Sequence, residues 1–89
     1  MIINAVSIRN PIKKKLRFKH GINEEEINKI LLNNKPVFKK SRGLYLSIGF
    51  KQRYLTIIFG YNKINKIADI ITAYPSSKWQ INLYKKMKK

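Results

Sequence analysis

The sequence contains no cysteine and only 4 acidic residues in 89 positions: Glu24, Glu25, Glu26 and Asp69. Without thiols, neither a disulfide framework nor a thiolate zinc site can brace the chain, and stability must come from ordinary packing. The scarcity of carboxylates argues against a second kind of chemistry. Two-metal nucleases and polymerases gather several carboxylates around Mg²⁺, whereas three of these four acids fall at one predicted helix start. No GxxxxGK or GxGxxG occurs, which removes the phosphate-cradling loops. The single histidine, His20, has no motif-placed serine partner and there is no cysteine nucleophile. Apolar runs stay short of the ~20 residues of a spanning helix, and the start, Met1 to Ile12, lacks the basic-then-apolar order of a signal peptide. The expected compartment is the cytoplasm. A chain of this length buries one core, so residues 1–89 read as a single domain.

Positive charge, by contrast, is abundant. Lys and Arg number 20, giving a formal net charge of +16 at pH 7. Self-repulsion at this level opposes folding unless a polyanion neutralises it, and nucleic acid is the commonest such partner. Counterion release would then supply most of the affinity and make binding steeply salt-dependent. A membrane surface fits less well, because basic residues recur from Arg9 to Lys89 with no long amphipathic stripe to hold them on one helix.

The pattern along the chain predicts α-α-β-β-β-β-α. Asn10-Pro11 reads as a cap and first helical residue, followed by a basic helix that Gly21 stops. Asn23 with Glu26 makes a capping-box pattern, and Ile27, Ile30 and Leu31 form one apolar stripe, giving a second helix over Glu24 to Leu32. The period then becomes two. Strands are expected at Val37 to Lys40, Leu44 to Phe50, Tyr54 to Tyr61 and Ile67 to Tyr74, separated by SRG, KQR and NKINK turns. A tight turn at Lys51-Gln52 would set Leu46 opposite Ile57 and Ile48 opposite Leu55, with Leu44, Leu46, Ile48 and Phe50 on one apolar face. Pro75-Ser76-Ser77 offers a stop and a cap before a short helix over Lys78 to Lys86. The expected fold is α+β: two N-terminal helices packed on one face of a four-stranded antiparallel sheet, a short C-terminal helix, and the other face open.

One phosphodiester chemistry needs neither metal nor protein nucleophile. RNA supplies its own 2′-hydroxyl, so cleavage requires a base, an acid and cations or donors around the phosphorane. Histidine, with a reference pKa near ~6.5, suits acid or base work at neutral pH, although a lone histidine at a helix end is also a common cap or surface residue. Thr72 and Tyr74, two apart on one strand, point to one face, where Tyr45, Ser47 and Thr56 also lie if that face is the open one. Such a row can bind phosphate and stack bases, and threonine and tyrosine are also simply good strand formers. Arg17, one turn before His20, can reach the same phosphate or remain solvated. Candidate RNA contacts are Lys13, Lys14, Lys15, Lys40, Arg42, Arg53 and the aromatic Tyr45. No cofactor and no metal site is implied.

The order KLRFKHG (Lys15 to Gly21), a Glu-rich short helix, RGLYLSIGF (Arg42 to Phe50), YLTIIFGY (Tyr54 to Tyr61) and IADIITAYP (Ile67 to Pro75) resembles the BrnT and RelE-like toxins, within the wider barnase, EndoU, colicin and RelE nuclease assemblage. BrnT-like proteins carry an arginine near the end of the last strand, where Tyr74 stands here. The Thr-x-Tyr arrangement of Thr72 and Tyr74 with His20 is similar to ribonuclease domains of contact-dependent inhibition toxins. The resemblance implies an endoribonuclease toxin that cuts tRNA or mRNA to a 2′,3′-cyclic phosphate and is neutralised by an acidic antitoxin or immunity protein. It would act in the cytoplasm, after delivery into target cells where the chain is an excised toxin domain. His20, Arg17, Thr72 and Tyr74 would be its catalytic residues. The alternative is a non-catalytic RNA- or DNA-binding module using the same basic surface.

Overall fold

A computed structural model describes residues 1–88; Lys89, the last residue of the basic tail, lies outside them. The elements run β1 (Ala5–Ser7), α1 (Asn10–His20), α2 (Glu24–Leu32), β2 (Val37–Ser41), β3 (Leu44–Phe50), β4 (Tyr54–Asn62), β5 (Ile67–Pro75) and α3 (Lys78–Met87). Local chemistry explains most of these boundaries. Arg9, not Asn10, takes the cap position of α1, and proline sits in the first turn, where its missing N–H has no partner to lose. Gly21 ends the helix in the left-handed region at φ 62°, and its N–H and that of Ile22 return to the carbonyls of Arg17 and Leu16. Asn23 then caps α2 by accepting from the Glu26 N–H at 2.9 Å. Arg42 and Gly43, both at positive φ, form the two-residue turn that joins β2 to β3.

The sheet has five strands in the order β1-β5-β4-β3-β2, antiparallel except where β1 runs parallel to β5. The expected four-stranded antiparallel sheet is therefore corrected to a mixed one. Its extra strand is only three residues long and pairs across most of the chain, Ala5 with Ile67 and Ser7 with Asp69. Register differs as well. Lys51, Gln52 and Arg53 form a three-residue connection, so Leu46 faces Ile58 and Ile48 faces Thr56, one position from the expected pairing. A one-residue slip exchanges the faces of a strand. Leu55, Ile57 and Phe59 consequently share a face with Tyr45, Ser47 and Gly49, not with Leu46 and Ile48.

That face carries the main core. Ile8, Leu16, Ile22, Ile27, Ile30 and Leu31 pack against Leu55, Ile57, Phe59, Ala68, Ile70 and Ala73. Gly49 lets α2 come this close, since a Cβ there would overlap the Ile30 side chain. The opposite face is partly closed by α3. Ile48 and Thr56 are fully buried there, and Tyr54 meets Tyr84 of α3 edge to face at 5.5 Å. Leu44 of the same face stays exposed.

A bulge in β5 prepares the site. Thr72 pairs with Ile58 but Ile70 with Phe59, so Ile71 is an extra residue in the ladder. The bulge lets Ile70 and Ala73 both enter the core while Thr72 and Tyr74 face the other way. Because β1 covers only Ile67 to Asp69, the rest of β5 has no strand beside it on that edge, and α1 packs there instead.

Candidate active site

The edge of β5 and the end of α1 enclose a cleft of about 440 Å³ lined by Lys15, Leu16, Lys19, His20, Thr72, Tyr74 and Pro75. Three of the four expected catalytic residues, His20, Thr72 and Tyr74, thus meet in one basic recess. Lys15 and Lys19 lie one helical turn apart on the same side of α1 and supply its positive charge. Leu16 fixes the helix against the sheet, being almost fully buried.

Tyr74 is held by a buried amide. Gln80 is 2% exposed and its Oε1 accepts from the Ser77 backbone N–H and from Thr56 Oγ1, each at 2.9 Å. A backbone N–H can only donate, so the amide oxygen must face Ser77, and Nε2 is left to donate to the Tyr74 hydroxyl at 2.9 Å. Thr56, having donated to Gln80, accepts from Ser76 at 2.8 Å. The Tyr74 oxygen is therefore an acceptor on its α3 side, and its own O–H remains free to donate. Tyr74 thereby becomes a fixed donor.

The carboxyl end of α1 is held by an arginine from the β3–β4 connection. Arg53 makes a bidentate pair with Glu26, Nε to Oε2 at 3.0 Å and a terminal nitrogen to Oε1 at 3.1 Å. The same guanidinium donates to the carbonyls of His20 at 3.4 Å and Gly21 at 3.1 Å. The hydrogen bond that Arg53 donates to the Glu26 carboxylate raises the Arg53 pKa above the usual arginine value, against a smaller opposing effect of burial. Arg53, expected as an RNA contact, clamps the end of α1 that carries the histidine.

The chain superposes on the crystal structure of the Brucella abortus ribonuclease toxin BrnT with a TM-score of 0.64 and 16% identity, over 83% of this chain and 97% of that one. The chain has the fold of BrnT. No protein-family profile and no curated protein sequence matches it, so the likeness is one of backbone shape.

Within this BrnT-like fold the remaining expected residues separate. Arg17 lies outside the His20 cleft and lines a second recess with Lys13, Lys14 and Phe18. Lys13 also pairs with Glu24 at 3.1 Å. Tyr45 stacks on Phe59 at 5.8 Å on the core side of the sheet, with Lys40 Nζ 5.9 Å from its ring, so it does not share the Thr72 and Tyr74 face. Ser47 is buried on that core side, its hydroxyl without a partner among the described residues. Thr56 does share the face of Tyr74, but is buried in the Gln80 network. Arg42 projects from the β2–β3 hairpin tip. Sequence reasoning missed Lys19 and Gln80 as parts of the site. Lys19 could have been found from its position four residues after Lys15, whereas nothing in the sequence links Gln80 to Tyr74.

All four acidic side chains face cations: Glu24 with Lys13, Glu25 with Lys51, Glu26 with Arg53 and Asp69 with Arg9. Among the described residues the cleft has no carboxylate in its lining. Among the described residues no group of three His, Asp or Glu could hold a metal ion. No helix of the described residues is long and apolar enough to cross a membrane.

Proposed function

We propose that the chain is a toxin-type endoribonuclease that cleaves RNA without a metal ion. The observation that carries this reading is the cleft, in which His20, Thr72, Tyr74, Lys15 and Lys19 converge on a BrnT-like fold. In the reaction the 2′-oxygen of RNA attacks the adjacent phosphorus and the P–O5′ bond breaks, leaving a 2′,3′-cyclic phosphate and a 5′-hydroxyl. One proton leaves the 2′-hydroxyl and one arrives at O5′. His20 takes the first. Tyr74, with its O–H free to donate, supplies the second or donates to a phosphoryl oxygen, and Thr72 positions the phosphate. Lys15 and Lys19 stabilise the phosphorane, the role expected of Arg17, which in this reading binds a flanking phosphate instead.

The basic surface gathers the substrate, tRNA or mRNA in the cytoplasm, and an acidic antitoxin or immunity protein would neutralise the same surface. The test is expression and cleavage together. The wild-type chain should arrest growth on induction and, once purified, cut RNA in EDTA to fragments ending in 2′,3′-cyclic phosphate. His20→Ala should lose arrest and cleavage while still binding RNA. A purified wild-type chain that binds RNA but leaves it intact would instead identify a non-catalytic binding module.

A further inference from the structure

Phe18 stands on the crest of α1 with 84% of its surface exposed, contributing nothing to the core. Single exposed aromatics are ordinary. This one is not isolated, because it forms a wall of a recess of about 280 Å³ with Lys14, Arg17, Ile22 and Asn23. Lys14 lies one turn before Phe18 on the same side of the helix, and Arg17 is its neighbour in sequence. The only acid in the recess, Glu24, is already paired with Lys13 at 3.1 Å. An aromatic face beside two cations that have no ion-pair partner among the described residues suits a nucleotide, whose base stacks while its phosphate meets the charges.

We propose that Phe18, Lys14 and Arg17 form a subsite for an unpaired nucleobase next to the scissile phosphate. The proposal rests on the ribonuclease reading and adds a substrate class to it, namely single-stranded or looped RNA. The helical wheel gives the path. At 100° per residue, Lys19 and Lys15 stand between Leu16, which lines the cleft, and Phe18 on the surface of α1, so a strand leaving the cleft on its lysine side crosses those lysines before it reaches the crest. A base can lie flat on Phe18 only when it is splayed from its neighbours, which a duplex forbids.

The test uses the full-length His20→Ala protein, so that substrate survives, with Trp79→Phe to remove the native tryptophan signal. Its affinity for a short single-stranded oligoribonucleotide is compared with that for the same sequence in a duplex. Adding Phe18→Ala should weaken single-strand binding by roughly tenfold, the usual loss of one base stack, and leave duplex binding unchanged. Phe18→Trp should retain affinity, and its emission should be quenched on binding. Oligonucleotides with one abasic position should erase the Phe18 effect at one position only. Phe18 is exposed, so these variants should fold as the parent does.

Equal affinity of the Phe18→Ala and parent proteins for the single strand overturns the subsite. So does an equal loss on single strand and duplex, or loss of binding to an acidic protein partner alone, which would mark Phe18 as a protein-docking residue. Cleavage by the protein with His20 intact separates the two readings. RNA cut with the same KM by the wild type and Phe18→Ala removes the subsite alone, whereas RNA left uncut by the wild type removes the ribonuclease reading.

Discussion

Replacing Gln80 by glutamate reverses a hydrogen bond without removing a side chain, and its effect on RNA cleavage tests the role of Tyr74 directly. The amide now accepts from Ser77 and Thr56 and donates to the Tyr74 hydroxyl. A glutamate keeps both acceptor contacts but, when ionised, has nothing to donate. The Tyr74 O–H would then turn toward the carboxylate and its proton would leave the cleft. Removing one preorganised donor from a developing oxyanion typically costs about 100-fold in kcat, so Gln80→Glu should lower kcat by about that factor with little change in KM. Burial favours the neutral acid, and a protonated glutamate can donate as the amide did. The ratio of Gln80→Glu to wild-type activity should therefore rise as pH falls. Gln80→Leu serves as the control. It cancels the three hydrogen bonds of the buried amide and should cost roughly 2 to 4 kcal/mol in denaturant unfolding while losing activity at every pH. A Gln80→Glu enzyme as active as the wild type across the pH range would refute the assignment of Tyr74 as the donor.

Arg53→Ala strands the Glu26 carboxylate, 10% exposed, and releases the carbonyls at the end of α1, so denaturant unfolding should show a loss of about 2 to 3 kcal/mol, less than a fully buried pair because Arg53 itself is 38% exposed. The raised Arg53 pKa adds stability that is complete below the usual arginine value and lost only in stronger alkali, so this group gives no pH dependence of unfolding between neutral and mildly basic solution. Gly49→Ala forces a methyl into the Ile30 Cγ2 and should destabilise by about 1 to 3 kcal/mol in the same assay, and its cost should shrink in an Ile30→Ala background, which lacks that Cγ2. Affinity for RNA, measured by fluorescence anisotropy, should fall by about 1000-fold between ~50 and ~200 mM salt if six or more phosphates are neutralised, and a flat response would rule out a phosphate-driven interface.

The local elements were legible because each is set by neighbours in sequence. Asn23 and the stripe Ile27, Ile30 and Leu31 define α2, Gly21 is the one residue there without a Cβ to resist a left-handed stop, and alternation marks β3. Charge and composition likewise depend on no fold, so the expectation of a polyanionic partner and the argument against a carboxylate-bound metal follow from the residues themselves. The juxtaposition of His20 with Thr72 and Tyr74 was reachable only through the resemblance and the reasoning that a helix end must return to a strand end.

Tertiary structure decided what local pattern leaves degenerate. Ala5–Ser7 is too short to show a period, and it is a strand only because the edge of β5 offers it partners. The β3–β4 register turned on one residue of loop length, and that residue chose which face carries the core. Arg17 and Lys19 are both cationic and two positions apart, yet the packing of α1 along β5 puts Lys19 in the cleft and Arg17 in the other recess. The clamp made by Arg53 and the site role of Gln80 were invisible because their partners, Glu26 with the end of α1 and Tyr74 with Thr56, lie on other elements. Sequence fixes which groups can donate, accept or carry charge, but a hydrogen bond reaching only ~3 Å acts on whatever the folded chain brings within that distance.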